Sequence, residues 1–183
     1  MSATDEQLEL VMKRNGIVYP DQTLAAFKLI GPIPKVGFSL AACCAVLDNE
    51  TGGGENVWGH DPWDEEAYPK GIAHPAGPPN DPVTQWTYTQ YKEKRDAGMQ
   101  PQGCGPCQLT DASLQIEAEK LGGCWVPQHN MTIGFRFLSQ LFLEHGSAEA
   151  GFAAYNGSGP DAEEYGVRAA ALADEWQARF NAI

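Results

Sequence analysis

The chain has 183 residues, with 12 Lys plus Arg against 24 Asp plus Glu, for a net charge of −12. That length suits one domain spanning 1–183 that buries its own core without staples, and the charge argues against nucleic acid or an anionic membrane as a partner, since phosphate binding needs clustered cations. The polar start, Met1-Ser2-Ala3-Thr4-Asp5-Glu6, and the lack of a long apolar run predict no signal peptide, no membrane span and a cytoplasmic start. Five cysteines, Cys43, Cys44, Cys104, Cys107 and Cys124, form an odd set that reads as mostly free thiols.

Thr4 followed by Gln7 is a capping box for a first helix, with Leu8, Val11 and Met12 on one face and Gly16 as its stop. A second helix is expected from about Asp21 to Ile30, and a third from about Val36 to Glu50, ahead of Gly52-Gly53-Gly54. From Thr51 to Asp81 the glycines and prolines predict a long irregular segment with room for a small hairpin, and loops of this length usually carry function or are disordered. Asp81-Pro82 reads as the start of a fourth helix ending at Gly98, with a strand over Trp86–Thr89 as the competing reading.

Thr110 or Asp111 caps a fifth helix that stops at Leu121-Gly122-Gly123. Pro127 opens a strongly apolar sixth, running through Ile133, Phe135, Leu138, Leu141 and Phe142 to Gly146, which reads as the buried central helix. Ser147 caps a short seventh ending at Asn156-Gly157. Pro160 opens a closing amphipathic helix with Tyr165, Ala169, Leu172, Trp176 and Phe180 in step. The fold class is mainly α, one domain with a long irregular loop after the third helix.

In that third helix Leu40, Cys43, Leu47 and Glu50 share one apolar stripe, so the carboxyl of Glu50 sits on the core-facing side at the helix C-terminus. Desolvation and the negative end of the helix dipole both disfavour its charge, which is the environment a general acid requires. The glycines that follow leave open backbone through which a bulky polymer can approach. Gln108, in Gly105-Pro106-Cys107-Gln108, offers a double donor and acceptor at a helix start, and Tyr155-Asn156 pairs a phenol with an amide suited to an N-acetyl group.

Three segments in order, Glu50-Thr51, Gly105-Pro106-Cys107-Gln108 and Ala154-Tyr155-Asn156, resemble the goose-type lysozyme and soluble lytic transglycosylase superfamily. The likeness is closer to lysozyme-like modules of endolysins from phages of actinobacteria, through Glu50–Asp61, Gly103–Thr110 and Leu121–Trp125, over about residues 36–170. In place of the family's Ser, Leu and Met stand Thr51, Pro106 and Cys107. The resemblance implies a lysozyme-like fold, Glu50 as catalytic acid, and Gln108, Tyr155 and Asn156 lining a saccharide cleft. It also implies a monomer that needs no cofactor or metal, acts on peptidoglycan glycan strands, and is made in a host cytoplasm for release to the cell wall.

Asp61 is the candidate base for an inverting hydrolysis, which holds its two carboxyls about 6.5–9.5 Å apart; a lytic transglycosylase needs only the acid. Asp64 and Glu55 are poorer candidates. Thr51, Trp58, His60 and Thr110 complete the expected substrate contacts, with Trp63, Trp86 and Trp125 as further aromatic surfaces. The alternative is a non-catalytic glycan-binding or virion structural module of the same fold. Cys104-Gly105-Pro106-Cys107 also has a thioredoxin-like spacing, but no strand precedes it, and Cys104, Cys107, Cys124 and His129 form only an irregular zinc set.

Overall fold

The computed structural model describes residues 3–60 and 79–183, and these form a mainly α domain. Its helices are α1 (Asp5–Arg14), α2 (Pro20–Lys28), α3 (Leu40–Thr51), α4 (Gln85–Asp96), α5 (Ala112–Leu121), α6 (Pro127–His145), α7 (Ala148–Asn156) and α8 (Pro160–Asn181). None of the described helices is long and apolar enough to cross a membrane.

Local chemistry accounts for most of the boundaries. Thr4 and Gln7 form the expected capping box on α1, and the Ser39 hydroxyl caps α3 by accepting from the Ala42 amide. α3 therefore starts at Leu40, four residues after the expected Val36. Pro34–Val36 is a separate 3-10 turn, broken from α3 by Gly37 at φ 80°. Thr84, not Asp81, caps α4, and the stretch Trp86–Thr89 is helical, so the strand reading is corrected: Thr84 and Thr87 satisfy the first-turn amides reciprocally. Asp111 rather than Thr110 caps α5.

The sequence points to α6 as the buried central helix, and α6 does bury Met131, Ile133, Phe135, Leu138, Leu141 and Phe142. Yet α3 is buried all round, with eight consecutive residues from Leu40 to Leu47 out of solvent. Ala41, Ala42, Cys43, Cys44 and Ala45 have side chains short enough for α2 and α8 to pack directly on the helix. Around it, Phe38 meets Phe142 edge to face at 6.0 Å, and Phe142 meets Phe152 at 4.9 Å.

Beyond α3 the two described ends of the long segment zip together. Val83 donates to Asn56, Trp58 to Asp81 and Asn80 to Trp58, around a single antiparallel bridge between Val57 and Pro82. Residues 61–78 lie between these ends, outside the described residues.

Gly52-Gly53-Gly54 does not form the open approach expected of it. Only Gly52 is exposed, as the left-handed C-cap of α3 at φ 61°, while Gly53 and Gly54 are buried. A Cβ on Gly53 would lie 2.2 Å from the Gly16 carbonyl oxygen, and the Gly53 carbonyl accepts from Val18, so this glycine seals α3 against the α1–α2 connection. Gly53→Ala is expected to cost about 3 kcal/mol or more and Gly52→Ala only about 1 kcal/mol, read as the difference in urea-unfolding midpoints.

Candidate active site

Glu50 sits in the last turn of α3, half-buried, where Leu40, Cys43 and Leu47 of the same stripe go fully into the core. The Tyr165 hydroxyl of α8 donates to Glu50 Oε1 at 2.5 Å. Burial pushes the Glu50 carboxyl above the usual carboxylate range, and the Tyr165 hydrogen bond opposes part of that rise by favouring the anion. Tyr165 is itself held far above an ordinary phenol, first by burial and then by the Glu50 charge, so it stays a donor.

The flanking residues bind α8 as well. Asp48 accepts from the Trp176 indole at 2.7 Å, and Asn49 accepts from Arg168 at 3.2 Å. Three consecutive polar residues at the end of α3 are thus each met by a donor from one helix, which fixes the direction of the Glu50 side chain.

Thr51 turns the other way. Its hydroxyl donates to the Pro106 carbonyl at 3.0 Å, and the Tyr155 hydroxyl of α7 donates to the neighbouring Cys107 carbonyl at 2.7 Å. Tyr155 packs its ring near Phe137, and both Glu50 and Tyr165 are among the groups that hold its phenol far above the ordinary range, after burial and Cys107. Glu50, Thr51, Cys107, Tyr155 and Tyr165 therefore converge from α3, the 103–108 turn, α7 and α8. Asn156, next to Tyr155, is exposed at the end of α7, and Thr110 is exposed at the far end of the turn.

Gln108 has a structural role in the turn. Its side-chain amide donates to the carbonyls of Val57 at 3.1 Å and Gly105 at 3.0 Å, and a Cβ on Gly59 would lie 2.2 Å from its Oε1. The part-buried residue closes the turn at φ 45°, and its side-chain nitrogen staples the turn to Val57.

The expectation for Trp58 is corrected. It is fully buried, with Tyr88 stacked at 6.3 Å and Tyr91 edge-on at 5.1 Å, which leaves no face to stack on a sugar. His60 and Glu55 are exposed, while Asp61, Asp64 and Trp63 lie outside the described residues. Trp86 is 70 % exposed at the start of α4, and Trp125 is half-buried against Tyr88.

All five cysteine thiols are free and buried. Cys104 points at Cys124 rather than at Cys107, and the described residues hold no group of three or more His, Cys, Asp or Glu side chains placed to bind a metal ion. The thioredoxin and zinc readings of the motif find no such geometry among those residues.

Two residues of the site escape sequence reading. Tyr165 reads in sequence as one apolar step of the α8 stripe, although it carries the one hydroxyl in a stripe with Ala169, Leu172, Trp176 and Phe180. Asn130, fully buried in the first turn of α6, accepts from the Cys107 amide at 2.9 Å and donates to the Cys104 carbonyl at 2.9 Å. A lone amide on an apolar helix face was the available signal.

Asn130→Ala would strand the buried Cys107 amide and leave the Cys104 carbonyl with the Leu109 amide as donor, and a loss of about 1–3 kcal/mol is expected in urea unfolding. Glu50 gives an opposite effect. The folded chain binds its proton more tightly than the unfolded chain, so this carboxyl stabilises the fold at low pH, and that contribution is lost as pH rises through the raised folded value. Glu50→Gln, which keeps an acceptor for Tyr165, should melt about 2 °C above wild type near about pH 8 and show no gain near about pH 4.

Comparison with known proteins returns no matching family model, no matching curated protein and no matching solved structure.

Proposed function

We propose that this chain is a peptidoglycan-degrading glycosidase, an endolysin-type muramidase or lytic transglycosylase that breaks the β-1,4 bond between N-acetylmuramic acid and N-acetylglucosamine. One observation carries the reading. The three segments that bear the family resemblance, far apart in sequence, are joined by direct hydrogen bonds, Thr51 to Pro106 and Tyr155 to Cys107, beside a half-buried carboxyl with a raised pKa.

In this reading Glu50 acts in its protonated form, which burial favours. It passes the proton to the glycosidic oxygen as the bond from that oxygen to the anomeric carbon breaks, and the positive charge developing on the sugar is then quenched by a nucleophile. Tyr165 is a positioning residue: its hydrogen bond aims Glu50 and tempers the rise in its pKa. Asn156 is exposed beside Tyr155, and in this reading it meets an acetamido group. Two nucleophiles fit the single acid, a water activated by a base such as Asp61 or the substrate's own acetamido group.

The natural site of action is the bacterial cell wall, with the protein released from a host cytoplasm. With a net charge of −12 the protein gains no long-range attraction to an acidic wall, so hydrogen bonds and ring contacts must hold the glycan.

Wild-type protein is expected to clear a peptidoglycan suspension, and Glu50→Gln to lose at least about 100-fold of that rate. Pelleting with peptidoglycan without any clearing would instead favour a glycan-binding or virion structural module. Mass spectrometry of the released muropeptides separates hydrolysis from 1,6-anhydro formation by about 18 Da, the mass of the added water.

Tyr165→Phe tests the positioning role. The acid form of Glu50 is the active one, so activity falls as pH rises through its pKa. Removing a hydrogen bond that lowers this pKa should move the alkaline limb to higher pH while kcat drops about 10- to 100-fold. A lower kcat with an unmoved limb would assign Tyr165 to packing alone.

A further inference from the structure

Cys104 and Cys124 bring their sulfurs to 3.3 Å from one another, both fully buried, across a sequence separation of 20 residues. Cys104 lies in the 103–108 turn that receives Thr51 and Tyr155. Cys124 lies in the middle of the α5–α6 connection, directly after Gly122 and Gly123 at φ 128° and 139°. The pair is further aligned by Asn130, whose amide nitrogen lies 2.9 Å from the Cys104 carbonyl and 3.5 Å from the Cys124 sulfur.

We propose that Cys104 and Cys124 are a redox pair that closes to a disulfide outside a reducing compartment, stapling the Cys104–Gln108 turn to the α5–α6 connection. From 3.3 Å the sulfurs need to approach by about 1.3 Å to reach bonding distance. A connection with two glycines in left-handed conformations ahead of Cys124 is suited to absorb a shift of that size.

The other thiols are worse placed. Cys107, the near partner in sequence, is packed under α6, where a Cβ on Gly134 would meet its sulfur at 2.6 Å. Cys43 and Cys44 are successive residues of a helix, whose side chains leave the axis about 100° apart.

The oxidant is a low-molecular-weight disulfide. One cysteine sulfur attacks it and expels a first small thiol; the second cysteine sulfur then attacks the mixed disulfide and expels another. The S–S bond of the reagent is thereby exchanged for one in the protein, and the two protons leave on the two released thiols. Burial, together with the hydrogen bond between Cys104 and Cys124, pushes the Cys104 thiol up, so thiolate is scarce and the exchange waits on local opening of the turn. The same burial then shields the closed disulfide from reductant. The result is a slow latch that locks the floor of the site after the protein has left the cell that made it.

The test needs no assay of activity, so it stands or falls apart from the glycosidase reading. The full chain is incubated with excess 2-hydroxyethyl disulfide, its remaining thiols are alkylated in denaturant, and the digest is read by mass spectrometry. The expected product joins the Cys104 and Cys124 peptides, two hydrogen atoms lighter than their sum, with Cys43, Cys44 and Cys107 alkylated. Its melting temperature should rise by about 5–10 °C over the reduced chain, the effect of closing a loop of this length in a domain of this size. Cys107→Ser should keep the cross-link and Cys124→Ser should lose both the cross-link and the oxidant-dependent shift. A chain that stays folded with five alkylated thiols after prolonged incubation would overturn the proposal, and so would a Cys104–Cys107 link.

Discussion

The structure depends on satisfying a buried turn. From Gly103 to Gln108 the backbone runs through the interior without regular secondary structure, where each unpaired amide or carbonyl would cost on the order of 1–3 kcal/mol. Its polar groups are met one by one. Gly59 donates to Gly103, Asn130 to Cys104, Thr51 to Pro106 and Tyr155 to Cys107, while the Gly105 and Cys107 amides go to Val57 and Asn130. Those partners belong to α3, α6, α7 and the segment after α3. A turn that can be buried only if four distant pieces of chain arrive together acts as the point at which they are registered.

Glu50 inherits its position from that registration. Thr51 is drawn to the turn and Asp48, Asn49 and Glu50 are drawn to α8, so the C-terminus of α3 is held from two sides. A second lock lies farther out. The guanidinium of Arg95, 5 % exposed, binds Glu119 at 2.9 Å and Gln115 at 3.1 Å, joining α4 to α5. Tyr91 carries that lock inward, since its hydroxyl accepts from the Gln102 amide and Gln102 donates to the Gly59 carbonyl at 2.7 Å. Breaking either lock removes a partner from a buried charge or amide rather than a contact from the surface, which is where single substitutions become costly.

Much of this is legible in the sequence because it is local. Capping residues, terminal glycines and N-terminal prolines place the helices to within a few residues, and the apolar phase of α3 already sets Glu50 facing inward. The exceptions are nonlocal. Nothing near Gln108 indicates that its amide is claimed by Val57, and nothing near Trp58 indicates that Tyr88 and Tyr91 enclose it. Glycine composition misled in the same way: Gly52-Gly53-Gly54 reads as open chain, but Gly53 is small because the Gly16 carbonyl needs the space. Tyr165 reads as one more step on a helix face and Asn130 has no local signal beyond its lone amide; the polar atoms of both gain meaning only from a partner more than 20 residues away.

The carboxyl at the centre runs against the economy of the rest. The backbone groups of the turn are met by neutral partners, whereas Glu50 has one strong donor, Tyr165, and an environment that resists its charge. Folding does not require a carboxyl there, since an amide would keep the Tyr165 hydrogen bond without the desolvation cost of an anion. A group that weakens the fold in its ionised form, held firmly at a point where three distant segments meet, is the arrangement expected when the proton matters more than the stability it forgoes.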